Sequence, residues 1–180
     1  MRAELIPMID PSLFVGILAA VVAILGYTIT NAINRVERRS RIYADAILAL
    51  VRLQNLPYRI RRRCDSTDAT RALLSAQVRD AQEALSYHVV LLRLDSPRVG
   101  AVFDELVRHT RKEGAEYRRD AWASRPATRD ADMCSVIRYD YHNETELEKC
   151  IVLMQRELSI IRALRFRGRP QYPQLKVTSV

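Results

Sequence analysis

A chain of 180 residues that is 48% hydrophobic and 28% charged is too apolar for a disordered segment and too polar for a multi-span transporter. Its net charge of +8 is carried by arginine, only Lys112, Lys149 and Lys176 being lysine, and the excess sits in two blocks, Arg35 to Arg63 and Arg162 to Lys176. Three separated cysteines, Cys64, Cys134 and Cys150, offer neither a disulfide framework nor a CxxC metal pair, and five glycines leave little with which to build a phosphate cradle.

Residues 1–10 are a short, net-negative leader with Arg2, Glu4 and Asp10. From Pro11 to Asn34 no residue is charged, and Ser12 to Ile33 reads SLFVGILAAVVAILGYTITNAI, 22 residues against the ~20 that cross a bilayer core. A cleaved signal peptide would have a positive leader and a shorter apolar stretch, and a soluble core helix would carry charge on one face. Residues 11–34 therefore read as a transmembrane anchor. Arg35, Arg38, Arg39 and Arg41 follow it against the single acid Glu37, which by the positive-inside rule places the C-terminal side in the cytoplasm and residues 1–10 outside. The expected location is the cell membrane, crossed once. Ser12, Gly16 and Ala20 recur every four residues, a spacing of small side chains that lets two membrane helices approach and self-associate.

Residues 35–167 read as a cytoplasmic bundle of about four helices, up-down in topology because the connections are short. The first runs on from the anchor with Ile42, Ala46, Ala49, Leu53 and Leu56 at helical spacing, and stops at Pro57. The second opens near Ser66 or Thr67 and carries Leu74, Val78, Ala81, Leu85, His88 and Leu92 on one seam, where His88 is expected as a hydrogen-bonded core histidine. Ser96 and Pro97 read as an N-cap and first-turn proline for a third helix lined by Phe103, Val107, Thr110, Gly114, Tyr117 and Ala121. An irregular stretch follows from Pro126 to His142. Asn143 with Glu146 then resembles a capping box opening a fourth helix, whose inner face is Leu147, Cys150, Met154, Leu158 and Ile161 and whose end is marked by Gly168 and Pro170. The fold class is thus all-α: one transmembrane helix, a helical bundle, and a basic C-terminal tail over residues 168–180.

Candidate sites follow from the charge. Arg35, Arg38, Arg39 and Arg41, with Arg165, Arg167 and Arg169 of the tail region, suit an anionic inner leaflet, at about 1 kcal/mol per cation near the surface. Arg59, Arg61, Arg62 and Arg63 at the first interhelical connection, together with Trp122, form a candidate patch for a protein partner. Arg167 to Pro170 spell RGRP, which resembles the core of an AT-hook; that four-residue resemblance implies minor-groove DNA contact. His109 with Glu113 reads as an exposed pair, and the chain has no HExxH, GxSxG or P-loop. No enzyme activity, cofactor or small-molecule substrate is expected. The leading expectation is a membrane-anchored adaptor or scaffold that binds a protein partner or itself. A membrane-tethered nucleic-acid module and a small oligomerising membrane effector are the alternatives.

Overall fold

A computed structural model describes residues 11–128 and 138–159, with side chains from residue 14 onward. Among the described residues the regular structure is entirely α-helical: α1 (Pro11–Arg61), α2 (Asp68–Asp95), α3 (Pro97–Ala123) and α4 (Glu144–Glu157). The segment from Arg38 to Leu158 forms one compact unit, and the part of α1 before Arg38 belongs to another.

Helix α1 is 51 residues long and passes through Pro57 instead of stopping there. A proline one turn from a helix end removes only one hydrogen bond, and the burial of Leu56, Pro57 and Ile60 offsets that loss. In the compact unit α1 buries Tyr43, Ala46, Ala49, Leu50, Leu53, Leu56 and Ile60. The two alanines on that face let the neighbouring helices close in. Before Arg38, by contrast, α1 exposes large apolar side chains such as Phe14, Leu18, Val22 and Leu25. By length and composition α1 is long and apolar enough to cross a membrane.

The turn into α2 is built by side chains. Asp65 Oδ1 accepts from the Thr67 backbone N–H at 3.0 Å and from its hydroxyl at 2.8 Å, and Thr67 Oγ1 caps α2 by accepting from Thr70 N–H at 3.3 Å. These hydrogen bonds hold the Asp65 carboxyl below its usual range, that with Thr70 contributing most and those with Thr67 next. The buried residues of α2 are Leu74, Leu85, Val89 and Leu92. Val89 takes the place on the seam expected for His88, because a strict step of four and three drifts off the face of a straight helix. His88 is left half-buried, and its Nδ1 has no hydrogen-bond partner, against the expectation of a bonded core histidine.

One residue, Ser96, separates α2 from α3, and its side chain makes no cap bond. The corner closes because Gly100 has no side chain: a Cβ there would lie 2.6 Å from Arg93 Cα. Helix α3 supplies the centre of the core with Val99, Phe103, Leu106, Val107 and Thr110. At the start of α4 Asn143 makes no capping bond; its Nδ2 donates 2.9 Å to the buried Thr110 Oγ1. A buried hydroxyl without a partner is costly, and satisfying it takes precedence over the expected capping box. The other correction to α4 is its end, at Glu157, with the Leu158 N–H bonded to the Met154 carbonyl at 3.0 Å. Ile161, Gly168 and Pro170 lie outside the described residues.

The contacts define the packing directions. Residues near the start of α1 in this unit meet the end of α2 at Arg39 and Asp95, while Ile60 clusters with Leu74 near the start of α2. Arg93 reaches Asp104, and Arg111 reaches Ser86, across α2 and α3. Arg39 meets Glu157 while Gln54 meets Tyr141 just before α4. Each of these pairs is antiparallel, and a single core joins α1, α2, α3 and α4.

Candidate functional site

The two arginine clusters, one within α1 and one at its C-terminal end, do not survive intact as surfaces. Arg63 is buried and donates five hydrogen bonds. Its Nε reaches Ser66 Oγ at 3.2 Å; Nη1 reaches the Ile60 and Ala121 carbonyls at 3.0 and 2.9 Å; Nη2 reaches the Trp122 carbonyl at 3.1 Å and that of Ser124. Its guanidinium carbon lies 5.3 Å from the centre of the Trp122 ring. These carbonyls end α1 and α3, so one planar cation caps both C-termini and meets the negative ends of both dipoles. The expectation of Arg63 as part of a partner patch is corrected: it is an internal clamp, and Trp122 is half-buried beneath it.

The rest of that cluster divides. Arg61 is half-buried and pairs with Asp120 at 3.7 Å. Arg59 and Arg62 stay exposed and, with Asn55 and Tyr58, line a shallow depression of about 470 Å³.

Arg39 is also drawn inward. Its Nε lies 2.9 Å from Asp95 Oδ2, its Nη2 donates to the Asp95 carbonyl at 3.3 Å, and its Nη1 lies 3.5 Å from Glu157 Oε2. Arg39, expected at the membrane surface, is 29% exposed and ties α1 to α2 and α4. Arg38 is 71% exposed and 3.6 Å from the other Asp95 oxygen, and Arg35 and Arg41 are exposed. Tyr43 lies beside this cluster, its phenol pushed up to about 12 by burial and by the charge of Asp95.

Four tyrosines close the opposite end. Tyr58 and Tyr139 meet edge-on at 4.8 Å, Tyr117 and Tyr141 edge-on at 5.1 Å, and Tyr117 and Tyr139 at 5.1 Å. The Tyr139 N–H donates to Tyr58 Oη at 2.9 Å, Tyr141 Oη donates to the Gln54 carbonyl at 3.1 Å, and Tyr117 Oη donates to the Asp140 carbonyl. Gly114 makes room for Tyr141, whose ring would lie 3.3 Å from an added Cβ. A lone glycine inside a helical seam was the available sign of that close approach. Burial raises the Tyr141 phenol and lowers the half-buried Arg118. The rings are spent on one another.

The pair His109 and Glu113 acquires a third member that sequence spacing did not reveal. His109 Nε2 and His142 Nδ1 lie 3.3 and 3.7 Å from the same Glu113 oxygen, with Asp140 3.9 Å from the other His142 nitrogen. No cluster of His, Cys, Asp or Glu among the described residues is arranged to hold a metal ion. Cys150 is buried and its thiol is pushed up to about 11 by desolvation, which suppresses thiolate chemistry.

An apolar groove lies between α1 and α4. Ile47, Leu48 and Val51 face Ile151, Met154 and Leu158 across an apolar groove of about 510 Å³. Leu48 is 47% exposed, Val51 42% and Ile151 38%. Of the expected self-association face, Gly16 and Ala20 are exposed with nothing within 4 Å of a Cβ at Gly16, and the Ser12 side chain lies outside the described set. Arg165, Arg167 and Arg169, and the RGRP segment, also lie outside the described residues.

Fold and site together define an all-helical bundle continuous with one long apolar N-terminal helix. Comparisons with protein-family models, curated proteins and solved structures give no match.

Proposed function

We propose that this chain is a single-pass membrane adaptor whose bundle docks a helix of a protein partner or of a second copy. The observation that carries this reading is the apolar groove between α1 and α4. Apolar surface of this kind, flanked by polar side chains, suits an amphipathic helix laid along it. Burying the exposed parts of Leu48, Val51 and Ile151 contributes only a few kcal/mol, at about 25 cal/mol per Å². Such a contact is weak in free solution and gains from confinement of both partners to one membrane, which raises their effective concentration.

The membrane placement is supported by the uncharged run from Pro11 to Asn34 and by the exposure of its apolar side chains, an expensive surface in water. The flanking Arg35, Arg38 and Arg41 favour the orientation with residues 1–10 outside and the bundle in the cytoplasm. The exposed glycine and alanine face at Gly16 and Ala20 suits pairing of anchors.

The test is a photocrosslinking amino acid placed at Leu48 of the intact chain in its native membranes, with Leu73 on α2 as an exposed control. A discrete adduct at Leu48 that V51E abolishes is the expected result. Equal labelling at Leu48 and Leu73 would remove the groove as a docking site.

A further inference from the structure

We propose that the corner between α2 and α3 rests in the headgroup layer of an anionic lipid bilayer, with Leu94, Val90 and Tyr87 facing the lipid and Arg98 beside them. The proposal builds on the membrane anchor and adds a second contact with the bilayer, made by the bundle itself.

Three residues carry it. Tyr87, Val90 and Leu94 step by three and four along α2, so they share one face, and that face is turned away from the buried Leu85, Val89 and Leu92. Their exposures are 63%, 57% and 77%. Leu94 is the most exposed of the large apolar residues described, and it sits immediately before the corner. Leu73, near the other end of α2, is the nearest comparison and has no such companions.

The local charge fits lipid phosphate. From Ala84 to Leu94 there is no acidic residue. Arg98 is exposed just past the corner, Arg93 is 57% exposed while paired with Asp104, and Arg38 is 71% exposed. The acids at the corner are engaged: Asp95, only 9% exposed, by Arg39 and Arg38, and Asp104, 26% exposed, by Arg93. An apolar face with a tyrosine and flanking arginines is the composition of a helix lying at a membrane interface.

The corner itself is closely packed, since Gly100 brings α3 against the Arg93 backbone. Leu94 projects from that packed corner with 77% of its surface exposed.

The experiment uses the full chain in vesicles of phosphatidylcholine and phosphatidylglycerol. Spin labels are attached to L94C, V90C, L73C and V22C in separate variants on a C64S/C134S background, and collision with oxygen is compared with collision with a water-soluble nickel chelate. Oxygen-favoured labels at Leu94 and Val90, with a chelate-favoured label at Leu73, are expected. A chelate-favoured label at Leu94 while that at Val22 is oxygen-favoured overturns the proposal and leaves the anchor standing. A Leu94 label shielded from both reagents shows that protein covers the face, and also overturns it. A chelate-favoured label at Val22 would overturn the anchor and this inference together. In phosphatidylcholine alone the Leu94 label should become shallower; an unchanged depth would exclude the arginines from the contact and defeat the proposal as stated.

Discussion

The two arginine blocks along and just past α1 look alike as strings, Arg35 to Arg41 and Arg59 to Arg63, yet the bundle uses each in a different way. Each gives up one member to the interior. Arg39 is held by carboxylates of Asp95 and Glu157, charge against charge at the partly wet edge of the core. Arg63 is held by neutral carbonyls that end two helices, over the face of Trp122. The first arrangement is an ion pair, screened by salt. The second is a hydrogen-bonded cap whose strength lies in geometry, which a planar fork satisfies and an ammonium does not.

That contrast is open to measurement on the whole chain. The largest effect is expected for Arg63→Ala, which strands several helix-end carbonyls and should cost about 3 kcal/mol of stability, with Arg63→Lys recovering less than half of it. Thermal unfolding in detergent reads both, and the loss should be nearly independent of salt. Arg39→Met should cost about 2 kcal/mol, between the values for exposed and buried pairs, and that cost should shrink as salt is raised. A salt-independent loss at Arg39 would erase the distinction between the two clamps.

Smaller again is an alkaline effect confined to the Arg39 end. The Tyr43 phenol rises from 10.0 to about 12 in the folded chain, so its contribution is complete below pH 10 and is lost as pH climbs towards 12. Tyr43→Phe should therefore flatten the alkaline limb of a stability-versus-pH curve while leaving neutral pH little changed. Least of all, Arg59→Ala and Arg62→Ala should each stay within about 0.5 kcal/mol of the parent, as exposed substitutions do. A loss at either as large as that at Arg63 would show that the cluster acts as one unit.

Helix number, the α2 and α3 boundaries and most of the core positions were legible from the sequence, because four- and three-residue steps of apolar side chains and the Thr67 and Pro97 start signals are local features. Local rules failed where a distant group intervened. Pro57 lies inside a helix because burial there outweighs one lost hydrogen bond, and Asn143 leaves its cap because Thr110, 33 residues away in sequence, needs a partner. His88 is displaced by the drift of a straight helix, and His142 joins Glu113 only through the returning chain. The candidate site was less legible than the fold. The groove combines residues about a hundred positions apart, and no spacing rule within either helix pairs Leu48 with Ile151.

By itself the sequence determined an all-helical chain, a long uncharged N-terminal run and a strong arginine excess, since composition and periodicity depend only on neighbours along the chain. Only the tertiary structure decided which arginines are surface and which are clamps. A guanidinium goes inside where carbonyls or carboxylates converge to meet all its donors, and those acceptors come from the ends of other helices, brought together by packing.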